Sequence, residues 1–162
     1  MQDASPLTDE VFPYRPLRQI LSRRLPMVHT VAPGDPLSLA MEKMAQYDIG
    51  LLVVLESGWL VGVISERDMV RRAGRMGTAS LEGLLVSDLM SRNVITVDPD
   101  ERFGHCLSLM DRHGTRHLPV VEAGKVVAVI SIRDLLHEAV SHHQVVLDEM
   151  DLERLSSSQS MH

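Results

Sequence analysis

Apolar and polar positions follow the same order twice along the chain. In the first half, apolar residues recur at helical spacing over residues 36–47, and unbroken apolar runs follow at 51–55 and 59–64. The helical spacing predicts an amphipathic helix. Short runs without polar residues are typical of strands that are covered on both faces. The first half therefore predicts a helix followed by a two-stranded hairpin.

The second half repeats this order. An amphipathic stretch carries Cys106, Leu107 and Met110 on one face, and short apolar runs follow it. Ahead of this stretch, Asp98 and Glu101 resemble a capping box with Asp98 at the N-cap, which predicts that a helix begins there. The other predicted strands are 27–31, 94–97, 118–121 and 126–130, and the other predicted helices are 16–23, 66–75, 86–90 and 132–140.

One eight-residue stretch ends both hairpins. It reads Val-Gly-Val-Ile-Ser-Glu-Arg-Asp at 61–68 and Val-Ala-Val-Ile-Ser-Ile-Arg-Asp at 127–134, so six of the eight positions are identical. In each copy a strand runs into a Ser at a helix N-cap, and an Asp follows one turn later. Backbone N–H groups and the hydroxyl suit a sugar phosphate, whereas the carboxylate suits the two hydroxyls of a ribose.

Each half thus predicts strand–helix–strand–strand–helix, a unit of about 60 residues that buries little core alone. We therefore expect an α+β or α/β fold in which two βαββα repeats pack as a pseudo-two-fold pair. The predicted organisation is a flexible arm at 1–15, a first repeat at 16–79, a second repeat at 80–143, and an acidic helix with a disordered tail at 144–162.

Composition narrows the class of partner. The net charge is −6 and aromatic residues make up 3%, whereas a nucleic-acid binder needs a basic surface and stacking aromatics. No apolar run reaches the roughly 18 residues of a membrane span, and no secretory signal is visible. The single cysteine excludes an internal disulfide. We expect a cytoplasmic protein that binds neither nucleic acid nor membrane.

The chain resembles a tandem CBS-domain protein of the stand-alone bacterial type, a family named after cystathionine beta-synthase. The duplicated stretch carries the resemblance, with Arg-His-Leu-Pro-Val-Val at 116–121, Thr-Val-Ala-Pro at 30–33 and Thr-Val-Asp-Pro at 96–99. The resemblance covers about residues 16–143. It implies a compact pair of repeats, called a Bateman module, with two clefts that bind adenosyl ligands. It also implies a homodimer that regulates an effector protein, here in trans.

The resemblance further implies which residues contact the ligand. The family's Ser contacts ribose or phosphate and its Asp holds the ribose hydroxyls, while Arg116 offers a forked donor to phosphate. Leu52 and other aliphatic residues are expected to form the adenine walls, because Phe12 and Phe103 are distant from the duplicated stretch. The implied ligand is AMP, with ADP, ATP, NAD or S-adenosylmethionine as alternatives. The predicted contacts are Thr30, Val31, Gly50, Leu51, Val63, Ser65, Asp68, Arg71, Thr96, Val97, Arg116, His117, Leu118, Pro119, Val129, Ser131 and Asp134.

Two departures between the copies predict unequal clefts. Ala128 stands where the first copy has Gly62, and its methyl group is expected to narrow the second cleft. Ile132 replaces the polar Glu66.

Other interpretations remain open. The Ser–Asp pairs also suit plain helix caps, and the chain is then a dimerisation scaffold with empty clefts. An enzyme such as a nucleotide hydrolase needs a nucleophile beside a base or a metal clamp, and the sequence shows neither. His113 and His117 are four apart, but Gly114 breaks the helix that would align them on a metal. We therefore predict no catalytic residue and no metal ligand, and an inert buried thiol at Cys106.

Overall fold

The structure is a computed structural model, and it describes residues 16–22 and 27–141. The predicted arm at 1–15 and the predicted acidic helix and tail at 144–162 lie outside the described residues. The helices are α1 (Leu17–Leu21), α2 (Leu37–Tyr47), α3 (Glu66–Met76), α4 (Val86–Leu89), α5 (Phe103–His113) and α6 (residues 132–141). The strands are β1 (Thr30–Val31), β2 (Leu51–Glu56), β3 (Trp59–Ser65), β4 (His117–Glu122) and β5 (Lys125–Ser131). A short 3-10 helix, Thr78–Leu81, lies between α3 and α4.

Two matching antiparallel hairpins, β2–β3 and β4–β5, form the sheets. Both hairpins shift register at the same place, after Val54 in one and after Val120 in the other. Two residues with positive φ connect each pair of strands, Ser57–Gly58 in the first hairpin and Ala123–Gly124 in the second. Such turns match the natural twist of a tight hairpin. The duplication in the sequence is thus reproduced down to the irregularities of the backbone.

The first strand differs between the two repeats. β1 lies parallel to β2, and the Val53 N–H donates to the His29 carbonyl at 3.1 Å. In the second repeat the predicted strand at 94–97 is reduced to a single bridge at Val97. Pro119 occupies the place of Val53 and has no N–H to donate, so one hydrogen bond of the ladder is missing. The prediction of a strand at 94–97 was wrong for this reason.

A local turn replaces the predicted capping box ahead of α5. This helix begins at Phe103, one turn later than Asp98 would have placed it. The Asp98 Oδ1 accepts a hydrogen bond from the Asp100 N–H at 2.8 Å, and the Glu101 Oε1 accepts one from the Arg102 N–H at 2.9 Å. The prediction was wrong because a short acidic side chain closes a turn as readily as it caps a helix.

Each repeat has its own hydrophobic core, and the two short helices are exchanged between the repeats. Leu17 of α1 is fully buried in the core of the second repeat, together with Leu118. Val86 of α4 is fully buried in the core of the first repeat, together with Leu52. The helix that precedes each repeat in the chain therefore packs on the other repeat, and this exchange holds the pseudo-two-fold pair together.

Candidate ligand-binding clefts

Two clefts lie between the repeats. The first cleft has a volume of about 370 Å³ and the second of about 650 Å³, both within the range of small-molecule sites. Ser65 and Asp68 line the first cleft, and Ser131 and Asp134 line the second. Residues 93–95 of the second repeat complete the first cleft, whereas Met27 and His29 of the first repeat complete the second. Neither cleft can therefore form without both repeats.

The two Ser–Asp junctions share the same hydrogen bonds. The Asp68 Oδ2 accepts from the Ser65 N–H at 2.9 Å and from the Ser65 hydroxyl at 2.6 Å. The Asp134 Oδ2 accepts from the N–H and the hydroxyl of Ser131 at 2.8 and 2.6 Å. These bonds fix each carboxylate at the start of a helix, α3 in the first cleft and α6 in the second.

The helix N-termini offer fewer backbone N–H groups than the sequence predicts. The first N–H of α3, from Glu66, donates to the Gly50 carbonyl at 3.1 Å. The first N–H of α6, from Ile132, donates to the Arg116 carbonyl at 2.9 Å. These two N–H groups join α3 to the residue before β2 and α6 to the residue before β4. The expectation that backbone N–H groups face a phosphate was therefore wrong for these two groups.

Basic groups outnumber acidic groups in the first cleft. The Arg67 Nη1 donates to the Gly114 carbonyl at 2.9 Å, which joins the start of α3 to the end of α5. Arg71 and Arg116 make no ion pair in the described part of the chain. The charged residues that line this cleft are Arg67, Arg71, Arg116, Glu66 and Asp68.

Acidic groups outnumber basic groups in the second cleft. Asp48 ends α2 in the left-handed conformation, at the position that Gly114 holds at the end of α5. Beside it, the His29 ring lies 4.1 Å from the Tyr47 ring between centroids. The charged residues that line the second cleft are Asp48, Glu66, Asp134, Arg116 and Arg133.

A shared wall separates the two clefts, and His117 is part of it. Burial lowers the pKa of His117; Arg116 and Arg67 act in the same direction, while Asp134 and Glu66 oppose it. The imidazole is therefore neutral at neutral pH and offers one donor and one acceptor. The residues that line both clefts are Gly50, Leu51, Glu66, Arg116 and His117.

Most of the predicted contact residues line a cleft. Arg116 lies in both clefts. The predicted residues in the first cleft are Gly50, Leu51, Val63, Ser65, Asp68, Arg71, Arg116, His117 and Pro119. Those in the second are Gly50, Leu51, Arg116, His117, Val129, Ser131 and Asp134. Their contact with a ligand stays a prediction.

Five predicted residues line neither cleft. Val31, Val97 and Leu118 are buried in the two cores, as is the expected wall residue Leu52. Thr30 is half-buried in β1, and Thr96 is exposed. Successive side chains of a strand point to opposite faces, and an unbroken apolar run does not reveal which face borders the cleft. Val31, Leu52, Val97 and Leu118 thus lie in the cores and not on a cleft wall, and the contact of the five residues with a ligand stays a prediction. The five are Thr30, Val31, Thr96, Val97 and Leu118.

Ala128 does not narrow the second cleft. It is buried in the core of the second repeat and lines neither cleft, and the second cleft is the larger one. At the matching position, a Cβ on Gly62 would lie 2.9 Å from the Ser91 carbonyl oxygen. Val63 and Ser91 exchange two backbone hydrogen bonds at 3.0 and 2.8 Å. Gly62 thus permits the linker to pack on β3, and the predicted effect on the ligand was wrong.

Sequence reasoning missed mainly the segments that each cleft borrows from the opposite repeat, together with the residues between each Ser and its Asp. The missed residues of the first cleft are Glu66, Arg67, Ser91, Asn93, Val94, Ile95, His113, Gly114 and Thr115. Those of the second are Met27, His29, Asp48, Ile49, Ile132 and Arg133. The repeat spacing itself is the signal that could have found them, since Asp48 and Gly114 lie 66 residues apart, as do His29 and Ile95.

Three further features concern metal binding, thiol chemistry and membrane insertion. Among the described residues, no group of three or more His, Cys, Asp or Glu side chains could hold a metal ion. Cys106 is buried, and burial raises its pKa to about 12, so its thiol is poorly reactive. In the part of the chain that the structure describes, no helix is long and apolar enough to cross a membrane.

Comparisons with known proteins agree with this architecture. The family model for the CBS domain matches residues 17–75 and 86–141. An uncharacterised 17.7 kDa protein from Acidianus ambivalens is 33% identical over 118 residues, which cover 72% of this chain and 70% of that protein. The crystal structure of a CBS-domain containing protein from Agrobacterium tumefaciens has a TM-score of 0.72 and 30% identity, covering 76% of this chain and 98% of that one.

Two more distant structures share the fold and contain ligands. CBSX2 in complex with AMP has a TM-score of 0.64 at 23% identity, covering 72% of this chain and 90% of that chain. The CBS domain pair of the protein MJ0100, in complex with 5′-methylthioadenosine and S-adenosylmethionine, has a TM-score of 0.67 at 22% identity, covering 80% and 99%. With two family matches, matching hairpins and two clefts between the repeats, the chain belongs to the CBS-domain family and carries the domain in tandem.

Proposed function

We propose that this chain is a non-enzymatic regulatory module that binds adenosyl ligands in its two clefts and signals to a partner protein in trans. The observation that carries the proposal is the pair of Ser–Asp junctions, each fixed at a helix start on a cleft wall. AMP is the first ligand to test, followed by ADP, ATP, NAD and S-adenosylmethionine. A cytoplasmic location stays a prediction from the sequence.

The Asp carboxylates suit a ribose. The Asp68 Oδ2 accepts from Ser65, and Oδ1 makes no hydrogen bond in the described part of the chain. A carboxylate oxygen without a donor is a natural acceptor for a ribose hydroxyl. A hydrogen bond to a charged group contributes roughly 1.5–3 kcal/mol, enough to select a sugar that presents a hydroxyl there.

The remaining walls suit the adenine and the phosphate. In the first cleft, Arg71 and Arg116 are forked cationic donors that match a phosphate group. Val63 and Ile95 provide an aliphatic surface for the base.

The ligands of two structural neighbours support the same chemical class. CBSX2 contains AMP, and the MJ0100 domain pair contains 5′-methylthioadenosine and S-adenosylmethionine. All three compounds share an adenosine moiety and differ in what the 5′ carbon bears. The part of the ligand that they share is the part that a Ser–Asp junction and an aliphatic wall would recognise.

The outer helices offer a surface for self-association. Val70 on α3 and Leu136 on α6 stand 66 residues apart and are 70% and 54% exposed. Ile132 and Val140 flank Leu136 at helical spacing and are exposed as well. We propose that this apolar stripe forms a homodimer, because apolar patches on helices mark interaction sites. Light scattering would test it, and a monomer at high concentration would overturn this part.

One observation favours the runner-up function, a ligand-free dimerisation scaffold. Each Asp already receives two hydrogen bonds from its Ser, which is what a helix cap alone requires. A scaffold predicts that Asp68→Ala and Asp134→Ala leave dimerisation and partner binding unchanged.

Thermal melting with and without AMP tests the regulatory proposal. A ligand present at about 1,000 times its Kd stabilises the folded state by about 4 kcal/mol. The double variant Asp68→Asn, Asp134→Asn keeps an oxygen that caps the helix but loses the charge that ribose hydroxyls prefer. We expect its affinity for AMP to fall at least about tenfold.

Asp88→Asn is the matched control. The Asp88 Oδ2 accepts from the Leu85 N–H at 2.8 Å, a capping bond of the same kind at α4, and Asp88 lines neither cleft. This variant should bind AMP as the wild type does. If no adenosyl compound stabilises the wild-type protein, the scaffold interpretation replaces the proposed function.

A further inference from the structure

The two clefts carry the same Ser–Asp junction but opposite charge. We propose that the first cleft takes phosphorylated adenine nucleotides, whereas the second takes an adenosyl compound without a phosphate group, either neutral or positively charged. This selectivity rests on the adenosyl-binding function proposed above. Three positions, compared across the 66-residue spacing, carry the inference.

The first position lies one helical turn beyond the Asp of each junction. Arg71 occupies it in the first cleft, lines that cleft and forms no ion pair in the described residues. His137 occupies it in the second repeat, where it is exposed and does not line the second cleft. The first cleft therefore has a cation for a phosphate group at a place where the second cleft has none.

The second position is the residue that ends the helix before β2 in the first repeat and before β4 in the second. Gly114 and Asp48 both adopt the left-handed conformation there, with φ of 60° and 52°. In the first cleft, Gly114 has no side chain, and its carbonyl accepts a hydrogen bond from Arg67 at 2.9 Å. In the second cleft, Asp48 adds a carboxylate to the same lining as Arg133. This carboxylate offsets the charge of the guanidinium and repels a phosphate group.

The third position lies on the strand entry that each cleft borrows from the opposite repeat. Ile95 lines the first cleft, and His29, backed by the Tyr47 ring, lines the second. The second cleft is also larger, at about 650 Å³ against about 370 Å³. It therefore offers an aromatic face for the base and more room for a substituent on the 5′ carbon, but no net positive charge.

Calorimetry with AMP, adenosine and S-adenosylmethionine tests the proposal on the full chain. AMP is close to a dianion at neutral pH. We expect one AMP per chain to bind the wild-type protein more tightly than any second AMP does. Adenosine and S-adenosylmethionine should still bind one site after AMP has saturated the first cleft. Arg71→Gln should weaken AMP binding about tenfold and leave adenosine binding unchanged.

Asp48→Asn is the decisive variant, since Asn also tolerates the left-handed conformation and the helix end is preserved. We expect the second site of this variant to bind AMP about tenfold more tightly than in the wild type. Glu42→Gln is the control, because it removes the same charge from an exposed position on α2, outside both clefts. It should leave both sites unchanged.

The outcomes separate this selectivity from the function on which it rests. Two equal AMP sites in the wild type, or unchanged AMP binding in Asp48→Asn, would overturn the proposed selectivity by charge. Adenosyl binding itself would remain in place. If neither these three probes nor ADP, ATP or NAD binds, the adenosyl-binding function itself fails.

Discussion

The two Ser–Asp junctions share their hydrogen bonds, whereas the segments that face them across the clefts do not share their charge. Ser65 with Asp68 and Ser131 with Asp134 form the same bonds to within 0.1 Å. Opposite them, Gly114 in the first cleft is replaced by Asp48 in the second. The comparison shows that the part suited to a sugar is duplicated, while the part suited to the rest of a ligand has diverged.

This divergence acts across the repeats. Asp48 belongs to the first repeat by sequence, yet it lines the cleft that holds the second junction. A substitution in one repeat therefore changes the cleft of the other repeat's junction. Because each short helix also packs on the opposite repeat, stability and binding should both show this crossed dependence.

The largest expected effect tests the exchange of the short helices. Leu17→Ala leaves a cavity in the second-repeat core and should cost about 2–5 kcal/mol of unfolding free energy. Hydrogen exchange should rise mainly in β4 and β5, far along the chain from the substitution. Val86→Ala should instead affect β2 and β3.

Val127→Ala is the control, since Val127 is exposed on β5 and its truncation leaves no buried cavity. The crossed packing would be contradicted if Leu17→Ala loosened β2 and β3 while β4 and β5 kept their protection.

A smaller effect is expected on stability when the glycine of each hairpin turn is replaced by alanine. Gly58 and Gly124 have φ of 83° and 78°, so Ala is strained at both, by about 1 kcal/mol. A Cβ on Gly58 meets nothing within 4 Å, but one on Gly124 would lie 2.7 Å from the Trp59 ring. We expect Gly124→Ala to cost more than Gly58→Ala in denaturant unfolding.

Trp59→Leu should remove most of that difference when it is combined with Gly124→Ala. The ring is 59% exposed, so its own truncation costs little. If Gly124→Ala and Gly58→Ala are equally destabilising, Trp59 does not constrain the second turn.

The smallest expected effect is on the pH dependence of stability, through His117 in the wall that the two clefts share. Burial lowers the pKa of His117, so the folded state binds fewer protons than the unfolded state below the ordinary pKa of about 6.5. The contribution of the neutral imidazole to stability is present above that pH and is lost as the pH falls through the folded pKa. We expect His117→Gln to lose stability less steeply on acidification than the wild type does.

Chemical unfolding between about pH 7.5 and 5 checks this, the range being set around the ordinary pKa. His137→Gln is the control, because His137 is exposed and lines neither cleft. An unchanged acid response in His117→Gln would show that other groups set it.

The sequence alone predicted the repeat, the fold class, the order of the elements and the two Ser–Asp junctions. These features depend on local periodicity and on an internal duplication, and both are visible along the chain. The strand at 94–97 was predicted wrongly because Pro119, the residue that weakens it, lies on another strand. The capping box at Asp98 was predicted wrongly because the same residues also form a turn.

Only the tertiary structure decided which core each short helix joins and which repeat completes each cleft. The apolar character of Leu17 predicts burial but not the core in which it is buried. No neighbouring residue in the chain indicates that it packs with Leu118. Burial and charge within a cleft depend on distances through space, which composition and spacing do not encode. The sequence therefore determined what each half contains, and packing between the halves determined which side chains line each cleft.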